Sequence, residues 1–133
     1  GRQPGGGAAR LRRPAAVGRV VKHLPLFFDL DGRRVVVVGQ GPAADRRAAL
    51  ARSAGAEVER LDPALADVEA YRGAAAAFIA AGDADADKTA ARASRSAGVP
   101  VNVADRPALC DFILPAIIDR DGAFLARTGV VPD

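Results

Sequence analysis

The sequence predicts an α/β domain with a mainly parallel sheet, because short apolar segments of strand length alternate with segments of helical composition. Residues 35–38 are four consecutive valines, which is typical of a strand buried on both faces. Further strands are predicted at 57–61, at 74–81 between two glycines, and at 100–104. Parallel strands need crossover connections, so we expect the intervening segments to form helices in right-handed βαβ units.

The first strand passes through a glycine turn into a helix, and this junction is the most informative part of the chain. Gly39 permits a tight turn, Gly41 leaves room for a pyrophosphate beside the backbone, and Ala44 supplies the third small position of a GxGxxA pattern. Pro42 fits the first helical turn, and the helix is expected to end near 53–55. The junction predicts a dinucleotide-binding site of the Rossmann type, with a purely structural turn as the alternative.

An acidic residue closes the second strand, at the place where Rossmann domains bind the ribose of the cofactor. Asp62 lies 18 residues past Ala44, and a carboxylate there accepts hydrogen bonds from the ribose hydroxyls. This position favours NAD over NADP, because a carboxylate repels a 2′-phosphate. The alternative is turn chemistry, since an aspartate before a proline, here Pro63, commonly starts a turn.

The later elements bring further residues to the same edge of the sheet. Residues 85–97 are predicted to be helical and to end at Gly98, which leads into the strand at 100–104. Ligands of open parallel sheets bind beyond the carboxyl ends of the strands. The predicted ends are Gly39, Asp62, residues 81–82 and Asp105.

Composition divides the chain into a tail and one domain. Half of the 133 residues are apolar, which is enough for one core. The first 22 residues carry six basic side chains and no acidic one, so a net charge of +3 for the whole chain leaves −3 on the remainder. Residues 1–22 are therefore interpreted as a basic, disordered tail, with tethering and an organelle transit peptide as its alternative roles, and 23–133 as the domain.

Several classes of function are excluded by the same composition. The acidic, aromatic-poor domain does not predict nucleic-acid binding, and no apolar run reaches transmembrane length. A single cysteine, Cys110, and a single histidine, His23, predict neither a disulfide framework nor a metal cluster, and they fit a cytoplasmic protein. His23 is expected at the entrance to the first strand.

Four segments together resemble one family of enzymes. They are LPLFFDL at 24–30, the glycine turn VVVVGQGPAA, GVPVNVAD at 98–105 and LCDFILPA at 109–116. In order and spacing they resemble the dehydrogenase module of siroheme synthase, the precorrin-2 dehydrogenase and sirohydrochlorin ferrochelatase family. The resemblance implies NAD-dependent oxidation of precorrin-2 to sirohydrochlorin, iron insertion in some members, and a homodimer.

The resemblance also implies roles for individual residues. Asp105, which ends the Asn-Val-x-Asp segment, is implied to be the catalytic base; the alternative is a helix cap, since Arg106 and Pro107 follow it. Precorrin-2 carries eight carboxylates, and Arg106 and Arg120, the first two cations after Asp105 in the sequence, are candidates to meet it. Cys110 is expected to be a packed residue. The implied cofactor contacts are Gly39, Gly41, Pro42, Ala43, Asp62, Pro63, Ala64, Ala81, Gly82 and Asn102.

The chain departs from the family pattern in several places. Only the short segment 65–71 stands where the family has a further helix and strand, so we expect the sheet to lack its usual third strand. Gly82 replaces a threonine, and Lys88 or a neighbour replaces an asparagine. A hairpin is predicted around 121–122, and the sequence stops before the family's helical dimerisation region. Two alternatives to an enzyme are a non-catalytic dinucleotide-binding module that senses or scaffolds, and a subunit that pairs with a separate chain.

Overall fold

Four parallel strands form one sheet with helices between them. The structure, a computed structural model, describes residues 22–120 and 123–127, and side chains for 22–115. The strands are β1 (Arg34–Gly39), β2 (Glu57–Leu61), β3 (Ala76–Ala80) and β4 (Val101–Val103), and the helices are α1 (Pro42–Ser53), α2 (Val68–Tyr71) and α3 (Ala84–Ser96). Their order across the sheet is β2-β1-β3-β4, and every pairing is parallel. The predicted α/β fold is therefore confirmed.

Strand β1 is central because its side chains fill the core on both faces of the sheet. Residues 35–38 are all 0% exposed. Val36 and Val38 belong to a cluster that also contains Tyr71 of α2, whereas Val35 and Val37 belong to a second cluster on the other face. A run of four valines suits this position, since neither face of the strand meets water.

Helix α1 packs against the sheet through alanines. Ala44, Ala48 and Ala51 are buried, and their spacing of four and three residues places them on one face of the helix. Small side chains at this face let the helix lie close to β1. The helix begins with Pro42 after Gly41, as the sequence predicts, and it ends at Ser53.

Strand β2 lies at the edge of the sheet in the described part of the chain. Between β2 and β3 there are only a 3₁₀ turn (Pro63–Leu65) and the one-turn helix α2. The expected absence of a further strand here is confirmed for these residues. Glu57, Glu59 and Arg60 of β2 are exposed, and charged side chains discourage another strand from pairing with an open edge.

The bounds of the remaining elements differ from the predicted ones by a few residues. The side chain of Asp83 caps α3 by accepting a hydrogen bond from the Ala86 N–H at 2.9 Å. Strands β5 (Ala116–Arg120) and β6 (Ala123–Arg127) pair antiparallel, which confirms the hairpin, although its loop lies outside the described residues. His23 is exposed and the first described strand begins eleven residues later, so its predicted place was wrong. The tail up to residue 21 and the end of the chain from residue 128 also lie outside the described residues.

Candidate functional site

The two glycines of the turn after β1 have similar φ angles but different surroundings. Gly39 has φ +104° and Gly41 has φ +100°, a region that side chains rarely adopt. A Cβ atom on Gly39 would lie 2.1 Å from the carbonyl oxygen of Ala80 in β3, whereas one on Gly41 would have nothing within 4 Å. Gly39 is thus required by packing inside the protein, and Gly41 keeps a space open outside it.

The space beside Gly41 is a cleft of about 310 Å³ at the carboxyl ends of β1 and β2. Gly41 is the N-cap of α1 and has no side chain to cap the first backbone N–H groups of that helix. Such a helix end favours an anion. The cleft is lined by Gly39, Gln40, Gly41, Asp45, Arg60, Leu61 and Asp62.

Asp62 starts the turn after β2 and also lines the cleft. One of its carboxylate oxygens accepts a hydrogen bond from the Ala64 N–H at 2.8 Å and so starts the 3₁₀ turn. The side chain is exposed and lines the cleft opposite the glycine turn. The structure therefore brings Gly39, Gly41 and Asp62 together. The predicted contacts Pro42, Ala43, Pro63 and Ala64 lie beside the cleft and are not part of its lining.

Arg60 is a member of this cleft that the sequence analysis missed. Its guanidinium donates hydrogen bonds from Nη1 to Asp45 Oδ1 at 3.2 Å and from Nη2 to the Gly39 carbonyl oxygen at 3.0 Å. It therefore holds the edge strand β2 against the glycine turn and α1. Arg60 lies two residues before Asp62, and side chains at this spacing in extended backbone point to the same side, so the sequence could have indicated that Arg60 lies near the cleft.

Asp105 lies in a second, smaller cleft of about 180 Å³ beyond β4. It is exposed, and its φ of +61° makes it the one non-glycine residue with positive φ in the described part of the chain. Aspartate tolerates this region better than most residues, although the conformation still costs energy. The N-cap of the following 3₁₀ turn (Pro107–Leu109) is Arg106, and no side chain caps it. The interpretation of Asp105 as a cap was therefore wrong.

Asn102 serves the protein's own structure at this second cleft. It is 4% exposed, its Oδ1 accepts a hydrogen bond from Arg47 Nε at 3.0 Å, and its Nδ2 donates to the Phe112 carbonyl oxygen at 3.1 Å. Both ends of its amide are engaged, so its implied role as a cofactor contact gains no support.

Cys110 is packed as expected, with its sulfur 3.1 Å from the Val103 nitrogen.

Arg47 of α1 is a second residue that the sequence analysis missed. Besides the bond to Asn102, its Nη1 donates to the Ala43 carbonyl oxygen at 3.1 Å. Burial lowers the pKa of Arg47, as does the neighbouring Arg46, whereas the Asp105 carboxylate raises it. Arg47 lines the same cleft as Asp105. Its partner Asn102 is 55 residues away in the sequence, so no local pattern could have indicated the pair.

Arg106 is held by a carboxylate inside the protein. Its Nε donates to Asp87 Oδ2 at 2.6 Å, and Asp87 Oδ1 accepts the Ala81 N–H at 2.8 Å. Asp87 is 2% exposed. The ion pair joins α3 to the loop after β4, and the second carboxylate oxygen of Asp87 holds the loop after β3. Asp87 thus occupies Arg106, which was expected to meet the substrate, and the N–H of Ala81, which was an implied cofactor contact.

Two other predicted site residues are Gly82 and Arg120. Gly82 is exposed, with φ +81°, and a Cβ atom on it would have nothing within 4 Å, so its surface is open to a ligand. Arg120 is in β5, and its side chain lies outside the described ones. None of the helices in the described part of the chain is long and apolar enough to cross a membrane.

Comparison with known proteins shows the family to which this chain belongs. A family model described as "Putative NAD(P)-binding" matches residues 26–116. A siroheme synthase from Thiobacillus denitrificans is 39% identical over 125 residues, covering 80% of this chain and 26% of that protein. Siroheme synthase 1 from Halorhodospira halophila is 39% identical over 125 residues, covering 78% and 26%. The chain thus spans about a quarter of the length of these relatives.

One solved structure supports the fold. A protein titled "SirC, precorrin-2 dehydrogenase" superposes with a TM-score of 0.57 at 22% identity, covering 80% of this chain and 61% of that one. At this level of identity the similarity shows a common fold.

Proposed function

This chain belongs to the NAD(P)-binding family whose model spans residues 26–116, and from that premise we propose that it binds NAD and oxidises precorrin-2 to sirohydrochlorin. The observation that carries the proposal is the arrangement of two clefts at one edge of the sheet. One holds the glycine turn and Asp62, and the other holds Asp105. The names of the relatives supply the substrate. We further propose a cytoplasmic location, which the single free Cys110 favours.

The first cleft fits a dinucleotide. The uncapped N–H groups at the start of α1 suit a pyrophosphate, and the open space at Gly41 lets it approach the backbone. In this proposal the exposed Asp62 carboxylate accepts hydrogen bonds from the ribose hydroxyls. Arg60, the cation of this cleft, is already bonded to Asp45 and Gly39, so the Asp62 carboxylate is expected to disfavour a 2′-phosphate. Calorimetric titration with both cofactors checks this preference, and tighter binding of NADP would contradict it.

The second cleft fits the chemical step. Bound NAD supplies the hydride acceptor, and oxidation of precorrin-2 removes one hydride and one proton from the macrocycle. In this proposal the exposed Asp105 carboxylate accepts that proton, and it is available to the substrate because it does not cap the turn that follows it. Asp105 is exposed and lines the second cleft, so in this proposal its carboxylate is accessible to the substrate.

The test replaces Asp105 with asparagine, which keeps the size and removes the proton acceptor. Since general base catalysis is typically worth about 10²–10⁴-fold, Asp105→Asn should oxidise precorrin-2 at least ~100-fold more slowly, followed as NADH absorbance under anaerobic conditions. NAD affinity should stay at the parental value. Asp85→Asn, the same change on the exposed first turn of α3, is the matched control.

Three outcomes distinguish the hypotheses. Loss of turnover in Asp105→Asn with retained NAD binding supports the base. Equal turnover in Asp105→Asn and the parent would contradict the role of Asp105 as general base. A parent chain that binds NAD without oxidising precorrin-2 would instead identify a non-catalytic dinucleotide-binding module.

A further inference from the structure

Arg47 differs from the other partly buried arginines among residues 22–115. Arg34 is paired with Glu59 at 2.8 Å, and Arg106 is paired with Asp87 at 2.6 Å. Arg47 has no carboxylate within 4 Å among the described side chains, and its hydrogen bonds go to an amide and a backbone carbonyl. Arg47 is therefore a partly buried cation that makes no ion-pair contact with a carboxylate among the described side chains.

This arrangement is costly unless an anion completes it. Moving a guanidinium out of water removes hydration, and neutral acceptors recover only part of that loss. The Asp105 carboxylate lies beyond ion-pair distance and compensates partially through space. The bonds from Nε and Nη1 nevertheless fix the guanidinium in one orientation, which is the condition for binding an oxyanion with little loss of entropy.

The surroundings of Arg47 indicate what kind of anion would bind. The cleft it lines contains Asp105 and Pro107, and the apolar side chains of Ile113 and Leu114 form part of its wall. Ile113 is 47% exposed, which is unusual for an isoleucine. A cation beside an apolar wall suits a carboxylate carried on a large hydrophobic framework.

We propose that Arg47 binds a carboxylate of the tetrapyrrole and thereby holds the macrocycle over Asp105. This inference rests on the proposed function and assigns its substrate-binding cation, in place of Arg106, to a residue on α1. The phosphates of the dinucleotide are the other source of an oxyanion at this edge. Arg47 does not line the cleft that contains Gly41, which favours the substrate.

The experiment measures substrate and cofactor binding separately. Uroporphyrin, a stable porphyrin with eight carboxylates, is titrated into the 133-residue chain and followed by porphyrin fluorescence, and NAD is titrated by calorimetry. A charge-assisted hydrogen bond is worth about 10- to 100-fold in affinity, so Arg47→Met should weaken uroporphyrin binding and raise the KM for precorrin-2 by that factor. Arg47→Lys, which keeps the charge without the planar fork, should lose less.

The control is Arg46→Met, because Arg46 is the preceding residue on α1 and is exposed. It should leave both affinities at parental values, as should Arg47→Met for NAD. An equal loss of NAD affinity in Arg47→Met would assign Arg47 to the cofactor phosphates and overturn the proposal. Unchanged uroporphyrin binding in a folded Arg47→Met or Arg47→Lys variant would also overturn it.

The same data separate this inference from the proposed function. A parent chain that binds uroporphyrin through Arg47 but forms no NADH from precorrin-2 would refute the activity and keep the carboxylate site. A turnover rate and a KM for precorrin-2 that are the same in the parent, Arg47→Lys and Arg47→Met would refute the site and keep the activity.

Discussion

Replacing each glycine of the turn with alanine separates packing from ligand access. Both residues have φ near +100°, so each substitution introduces similar backbone strain. They differ in what the new methyl group meets. At Gly39 it would lie 2.1 Å from the oxygen and 2.6 Å from the carbon of the Ala80 carbonyl, whereas at Gly41 it would enter open space.

The geometry sets the size of the difference. Forcing a side chain into this backbone region costs about 1–3 kcal/mol at either position. Gly39→Ala must also displace buried backbone of β3, and overpacking of that kind adds about 1–3 kcal/mol or more. We therefore expect Gly39→Ala to be less stable than Gly41→Ala by at least about 1 kcal/mol. In a domain of this size that corresponds to a Tm gap of at least ~4 °C.

Urea unfolding followed by circular dichroism measures the stabilities, and calorimetry with NAD measures the site. Gly41→Ala should remain folded and bind NAD more weakly, because its methyl group occupies the space into which a pyrophosphate would approach. Equal stability of the two variants would refute the close approach of Gly39 to β3. Parental NAD affinity in Gly41→Ala would place the dinucleotide elsewhere.

Two further predictions concern buried polar groups. Asp87→Ala leaves Arg106 without its carboxylate and should lower the free energy of unfolding by roughly 3 kcal/mol. The control Glu69→Ala breaks an exposed pair and should lower it by less than about 1 kcal/mol. Equal losses of stability in urea unfolding would contradict this difference. Tyr71→Phe removes a buried hydroxyl that has no partner among the described residues, and should leave stability at neutral pH unchanged or slightly higher. Burial raises the pKa of Tyr71 to about 12, above its usual 10.0. The folded parent should therefore lose stability as the pH rises from 10.0 to about 12, and Tyr71→Phe should lose less over that interval. An identical alkaline loss of Tm in the two proteins would contradict this prediction.

The parts of the fold that were predictable from the sequence depend on local patterns. The valine run at 35–38 indicated β1, and the bounds of β2 agree with the predicted 57–61. The alanine-rich segment before Gly82 was ambiguous by composition, but its length between two glycines indicated β3 correctly. Alanine favours a helix, but eight residues are short for one and the bracketing glycines favour a strand.

The polar contacts of the site could not be predicted in the same way. Arg60 meets the Gly39 carbonyl across 21 residues, Arg47 meets Asn102 across 55, and Arg106 meets Asp87 across 19. Each pair depends on which strands and helices become neighbours, and periodicity within one element carries no information about that. Proximity in sequence therefore assigned Arg106 to the substrate, although tertiary packing supplies it with a partner.

The open edge at β2 has a consequence for how this domain can vary. Beyond β2, no described strand pairs with its outer side, while the residues that line the two clefts come from β1, β2, β4, α1 and the loops beside them. An outer strand would pair with the open side of β2 and leave the pairing of β1 with β2 in place, whereas Arg60, Leu61 and Asp62 at the end of β2 line the first cleft. Lengthening the sheet at this edge therefore preserves the first cleft only where the insertion leaves the end of β2 unchanged.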